Sequence, residues 1–450
     1  MNSKLQEFIK DRKLLLILFG LLLLLIVGLV LLIWQRGRFD EDSYRSALTE
    51  ARTEFEAGNY SKAMSLYLDA SEIAQTEVDP YKGIVDILGR KGYYKEATEL
   101  ISDVSTGITT PESATLYEIL ATAQQARMDY SEGFQSASRA YSEDPNPTRA
   151  LLATQLAIQA DQLEQVPTFV TDIPEGLNAD VTQLWVFYTN DIDKDLDDVD
   201  LYSVVNNSRT FILSGYPALA RSLLGKFEEG MENYWEGLYY LGRAYYDLDE
   251  YEEALNRFEK AISLGSDDNV LYLYLARTYS VLGQTSSAYE IYERSIAFSD
   301  DTEGLEILDE YISLLVDDAQ FNRALDIIDD FAESNRTKLL FMRVYSAWEN
   351  WEEYTVYVES FDMTTAGSSE KEEYLRSVLD YRLLVEKDLT GVDDMIAILE
   401  KEFKDPPLTA YYKGLRARVL EDDAEAKRFF EEAVDRDLEG EISDLAKRFI

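Results

Sequence analysis

Apolar and polar positions between Trp235 and Asp300 fall into one arrangement that occurs twice, 34 residues apart. Leu241, Gly242, Tyr245, Ala254, Phe258 and Ala261 are answered by Leu275, Ala276, Tyr279, Ala288, Tyr292 and Ser295. Leu241 and Tyr245, like Leu275 and Tyr279, stand four apart and so share one stripe of a helix. A second helix follows, carrying Ala254 and Phe258 in one copy and Ala288 and Tyr292 in the other. The small residue after each leucine lets this second helix approach closely, and Ala254 or Ala288 is its small contact. Phe258 or Tyr292, four residues on, fills the gap to the next hairpin. A fixed period of this length predicts a stacked array of helical hairpins in place of one globular core.

The paired pattern resembles that of the tetratricopeptide repeat family, W-x2-L-G-x2-Y, then A-x3-F, then A and P. Leu238 and Tyr272 stand where the family has its first Trp, and Ser266 and Asp300 where it has its closing Pro. Weaker copies flank the pair. Gly58, Tyr60, Ala63, Tyr67 and Ala70 hold the second half of one; Tyr81, Ile84, Leu88, Gly92, Tyr94 and Ala97 make the next. Tyr117, Leu120, Ala121, Tyr130, Gly133 and Ala137 make a third, closed by Asp144-Pro145, and 147–173 is a poorly formed fourth. Phe211, Gly215 and Ala220 lead into the clear pair; Leu308, Phe321 and Ala324, then Tyr345 and Trp351, follow it. Residues 373–403 read as two amphipathic helices around Thr390-Gly391, and Gly414, Ala426 and Phe430 give a last copy. The expected fold is all-α: a solenoid of about ten or eleven hairpins, ended by a lone polar-faced helix over 441–450. The resemblance implies a right-handed superhelix. Its parts are an array over 40–173, an irregular acidic joint over 174–202, a central array over 203–363 and further repeats with the cap over 370–450.

Before the array, Leu14 to Trp34 is 21 residues without a charge, preceded by a short basic segment over 1–13. At about 1.5 Å per residue it spans roughly 30 Å, the thickness of a hydrocarbon core. The run exceeds the roughly 7–15 apolar residues of a cleaved signal, and no small-x-small site follows Trp34. It reads as an uncleaved transmembrane helix at 14–34. Lys4, Lys10, Arg12 and Lys13 precede it, whereas Arg36 and Arg38 give way to Asp40-Glu41-Asp42. That asymmetry favours a cytoplasmic N-terminus and an extracytoplasmic array, periplasmic or on the outer surface of the membrane. A eukaryotic setting would leave a cytosol-facing array as the rival.

Charge narrows the partners. The chain carries 43 Lys and Arg against 86 Asp and Glu, a net −43. Residues 1–38 hold six of the cations and two of the anions, so the remainder is more acidic still. Such a surface is not built for nucleic acid, whose phosphates need neutralising cations. Like charge keeps a long solenoid soluble; a partner with a basic face is the sharper alternative. Cysteine and histidine are both absent. Disulfides, thiol nucleophiles, thiolate zinc sites and imidazole bases are therefore excluded, no cofactor is implied, and an enzyme is not expected.

Candidate sites are few. Ser368-Ser369-Glu370-Lys371 matches S-x-x-K, but neither S-D-N nor K-T-G occurs, which leaves a chance match. Asp191, Asp193 and Asp195 have the 1-3-5 spacing of a calcium loop. Leu196 and Tyr202 stand where that loop needs Gly and Glu, so a solvated acidic loop is the plainer reading. In the family, first helices line a concave face that takes an extended peptide or a partner helix. The matched positions here give Tyr239, Tyr240 and Arg243, then Tyr274 and Arg277, with Arg343 at the same place in a later repeat. Two readings stay open: these residues grip a partner carboxylate or acidic peptide, or the arginines satisfy acids on adjacent helices while the tyrosines pack. The two-carboxylate clamp of chaperone-binding members needs Lys and Asn where Tyr239, Leu273 and Tyr274 stand, so that activity does not carry over. The function expected is a membrane-tethered scaffold or assembly factor binding protein partners in a membrane-associated complex. A chaperone-like client holder or import receptor is the alternative.

Overall fold

The computed structural model describes residues 41–174, 179–299, 301–437 and 440–450. Among them are 24 α-helices and no strand. The expected membrane segment 14–34 lies outside the described residues; no described helix is long and apolar enough to cross a membrane.

Helices pair in chain order. The first four hairpins are α1 (Glu41–Glu56) with α2 (Tyr60–Ile73), α3 (Asp79–Arg90) with α4 (Tyr94–Val104), α5 (Thr110–Ala126) with α6 (Tyr130–Glu143), and α7 (Pro147–Gln159) with the short α8 (Val166–Val170). A single helix, α9 (Ala179–Ile192), follows. The next four are α10 (Leu201–Leu213) with α11 (Pro217–Lys226), α12 (Trp235–Tyr246) with α13 (Tyr251–Ser263), α14 (Asn269–Val281) with α15 (Thr285–Ala297), and α16 (Asp301–Asp317) with α17 (Phe321–Asp329). The last three are α18 (Asn335–Ala347) with α19 (Trp351–Ser360), α20 (Ser368–Asp380) with α21 (Val392–Ile398), and α22 (Pro406–Val419) with α23 (Asp423–Arg436). α24 (Glu441–Lys447) closes the array by laying Ile442 and Ala446 on the final hairpin.

The two clear repeats show why the pattern folds this way. Leu241, Ala254, Phe258, Ala261, Leu275, Ala276 and Ala288 are all buried. A Cβ added to Gly242 would lie 2.7 Å from the Phe258 ring, so any larger residue there would displace the ring from its place. Gly414 and Phe430 repeat the contact in the last hairpin, at 2.6 Å. The turn inside the hairpin is equally regular. Asp249 and Gly283 take left-handed φ of 61° and 70°. The next amide then reaches back five residues, Glu250 to the Tyr245 carbonyl at 2.9 Å and Gln284 to Tyr279 at 2.8 Å. This is a Schellman turn, and it satisfies the carbonyls left open at the helix end. Ala319 and Glu349 hold the same conformation without glycine.

Two segments depart from the rhythm. Within 174–202, read above as an irregular joint, α9 buries Val181, Leu184 and Tyr188 in a core shared with Val204, Phe211 and Leu219. Their spacing of three, then four, is that of one helix face. The other departure is the tenth hairpin. Both of its helices end in wider π-type turns, Tyr381–Glu386 and Leu399–Phe403, stopped by Lys387 and Lys404 in left-handed conformations.

The chain also meets its own beginning. Asp435 on α23 accepts hydrogen bonds from the Ser61 backbone N–H, at 2.7 Å, and from the Ser61 hydroxyl. Arg436 donates to the Asn59 side-chain oxygen at 3.1 and 3.2 Å, and Lys91 lies 3.7 Å from the Asp435 carboxylate. The last hairpin thus rests against the first two through charged and polar groups. Because the protein has no native cysteine, a Ser61→Cys, Asp435→Cys variant carries a single thiol pair. A short bis-thiol reagent should link the two and shift the mobility of the denatured chain. A Ser61→Cys, Lys260→Cys control should not shift, and equal linking of both variants would contradict the closed arrangement.

Candidate protein-binding surface

First helices of neighbouring hairpins touch one another, α12 with α14, α16 with α18 and α18 with α20, and Arg277 joins α14 to α16; the side that α12, α14, α16, α18 and α20 share is the inner face the repeat pattern predicts. The six residues singled out from the sequence divide on it. Tyr239 is 8% exposed and belongs to the core, where burial pushes its phenol up to about 12. Tyr240 is half-buried beside it, ring centroids 4.8 Å apart. Tyr274 is held from both sides. The Arg243 guanidinium sits 3.9 Å and that of Arg277 4.9 Å from its ring centre, and Tyr246 meets it edge-on at 5.3 Å. The structure therefore brings Arg243, Tyr274 and Arg277 into one stack. Arg343 stands apart, on α18.

Each of these arginines already has an acid. Arg243 donates to Asp247, the residue that caps the end of its own helix, at 3.2 Å. Burial raises the Asp247 carboxyl above its ordinary value, against the pull of Arg243. Arg277 donates through Nε to Glu310 on α16 at 2.8 Å and through a second nitrogen to the other oxygen of the same carboxylate. This bidentate fork fixes geometry as well as charge. Arg343 pairs with Asp309 on α16 at 3.0 Å and with Glu373 on α20 at 2.6 Å. Arg336 pairs with the same two acids, at 2.5 and 2.6 Å. The four charges close a cycle that ties three hairpins together. Asp309, Glu310 and Glu373 are not among the sequence candidates, though a signal for them exists. Glu310 stands 33 residues after Arg277 and Glu373 30 after Arg343, close to one repeat. Of the two readings left open by the sequence, the geometry of the arginines favours internal pairing.

The other motifs are also accounted for. Asp191 is buried and accepts from Lys194 at 2.6 Å and Asn207 at 3.2 Å. Among the described residues no group of three or more acids is arranged to hold a metal ion. Ser368 and Lys371 lie in the first turn of α20, an ordinary helix start whose capping carboxylate is Glu370.

The tetratricopeptide repeat family matches residues 235–268. No curated protein matches the chain. Among solved structures, a tetratricopeptide repeat protein from Parabacteroides merdae is similar at 17% identity and a TM-score of 0.41, over 55% of this chain and 98% of that one. YrrB, described as a TPR protein with an unusual peptide-binding site, is similar at 15% identity and a TM-score of 0.29, over 58% and 97%. The stretch 235–268 is a tetratricopeptide repeat within an all-helical solenoid. Repeats of this kind mediate protein–protein interaction and peptide binding, and the fold is typically non-enzymatic.

If Arg277 and Glu310 hold α14 to α16, Arg277→Glu should lower the unfolding free energy, and adding Glu310→Arg should restore part of it. Both side chains are about a third exposed, so a coupling of about 1 kcal/mol is expected from the double-mutant cycle. Zero coupling in denaturant melts would remove the structural role.

Proposed function

We propose that this protein is a membrane-tethered interaction scaffold, anchored by residues 14–34, with its helical array outside the membrane and a protein partner bound along the inner face. The observation that carries the reading is that face itself. It joins the first helices of successive hairpins and offers Tyr240 and Tyr274 partly open, over a framework of arginines neutralised from within. Tyrosine suits such a surface because it supplies rigid apolar area and a polar tip at low entropic cost. Arg243 and Arg277 contribute by holding the Tyr274 ring in place, and Arg343 by fixing the helices around it. Stretches of unbalanced carboxylate elsewhere favour a partner with basic residues and speed its approach.

The test is site-specific crosslinking in native membranes. A photoreactive residue at Tyr240 or Tyr274 should give one discrete adduct, and the same residue at the exposed Lys260 on α13 should give none. Removal of residues 1–38 should release the chain from the membrane fraction. Adducts from Lys260 alone would place the partner on the outer face. Protease digestion of spheroplasts reads the orientation: degradation of the array supports the outside assignment, and protection overturns it.

A further inference from the structure

Between α18 and α20 the inner face opens into a cavity of about 650 Å³. Arg343, Ser346, Glu372, Glu373, Arg376 and Asp380 are among its lining residues. Its cations are already matched. Arg343 is shared between Asp309 and Glu373, and Arg376 reaches Glu441 at 3.1 Å. Of its anions, Glu373 is matched as well, but Asp380 and Glu372 are not. Among the described residues neither has a cation within ion-pairing distance; Arg376, one helical turn from each, acts on both only at longer range, while its own bridge goes to Glu441. Asp380 is in addition largely withdrawn from water. Burial pushes its carboxyl up to about 6, against the pull of the Tyr412 hydroxyl and the Arg376 guanidinium. A carboxylate in that condition destabilises the fold at neutral pH and gains most from an added cation.

We propose that this cavity receives basic side chains of an extended partner segment, with Asp380 and Glu372 each taking the ammonium or guanidinium group of a lysine or arginine. The two acids stand eight positions apart on α20, about 12 Å along the helix axis. An extended chain advances about 3.3 Å per residue and places alternate side chains on one side, so the basic residues fit at i and i+4. Ser346 also lines the cavity, and its hydroxyl is of the kind that bonds backbone groups of such a segment. The assignment rests on the reading of the inner face as the partner surface, and it adds the chemistry of what that face selects.

Two readouts on the full chain in nanodiscs separate a receptor from a structural acid. The folded chain holds a proton on Asp380 up to about pH 6, whereas an unfolded aspartate loses it near its ordinary value of 3.8. Stability therefore falls as pH rises through that window. Asp380→Asn removes the cost and should raise the melting temperature at neutral pH. The binding probe is a fluorescent Gly/Ser peptide of about twelve residues with two lysines four positions apart; its control carries norleucine at both. The lysine peptide should bind the wild type in a salt-dependent way and lose about tenfold or more in affinity to Asp380→Asn. The control should bind neither. A lower melting temperature for Asp380→Asn would make the residue a structural acceptor and overturn the proposal. Equal binding of the lysine peptide to both proteins would do the same, by assigning the affinity to general surface charge. Failure here with intact crosslinking from Tyr240 and Tyr274 would sink the basic-residue pocket alone; loss of those adducts would sink the inner-face reading beneath it.

Discussion

The closeness with which the two helices of a hairpin cross sets every other dimension of this molecule. Where Gly242 meets Phe258 and Gly414 meets Phe430, the missing side chain on the first helix is the space the aromatic ring of the second occupies. Burying such a ring is worth about 1.5–3 kcal/mol, and each hairpin leans on its neighbours to complete that burial. No hairpin owns a full core. The hydrophobic clusters accordingly run across several hairpins, the central one from Leu238 to Val344. Stability in such an array is a sum of local and nearest-neighbour terms.

A second layer of order is electrostatic. In a chain with a net charge of −43, arginines are scarce relative to acids, and many link one hairpin to another. Arg277 joins α14 to α16, the cycle of Arg336, Asp309, Arg343 and Glu373 joins α16, α18 and α20, and Arg221 reaches both Asp161 and Glu250. These pairs are partly buried, and each guanidinium either forks onto one carboxylate, as Arg277 does, or bridges two acids, so they hold register more than they add stability. They also leave an inner face whose positive charge is consumed internally. What such a face offers a partner is tyrosine and carboxylate, which is the basis for expecting basic residues on the other side.

Much of the architecture was legible because the Gly242–Phe258 contact imposes a spacing that recurs as Ala276–Tyr292 and Gly414–Phe430. The all-helical solenoid and the lone closing helix follow from that period. α9 escaped because Leu184-Trp185-Val186-Phe187 is apolar on every face and flanked by aspartates, so its periodicity is hidden. Turns at Asp249, Ala319 and Glu349 adopt a conformation usually marked by glycine, and carry no glycine to mark it. The arginine ladder was visible, but the acids of Arg277 and Arg343 stand about one repeat away and that of Arg243 one helical turn away, so two uses of the same arginines looked alike. Contact between Ser61 and Asp435, 374 positions apart, leaves no local pattern in the chain at all.

The central claim is that small-against-aromatic crossings carry the array and act through nearest neighbours. Gly242→Val forces a branched side chain into the Phe258 ring and should cost about 1–3 kcal/mol. Amide hydrogen exchange of that variant, read by mass spectrometry peptide by peptide, tests the claim most directly. Protection should fall over α12 and α13, fall less over α10, α11, α14 and α15, and stay unchanged over α3 to α6. Unchanged protection over α12 and α13, or an equal loss along the whole chain, would contradict it.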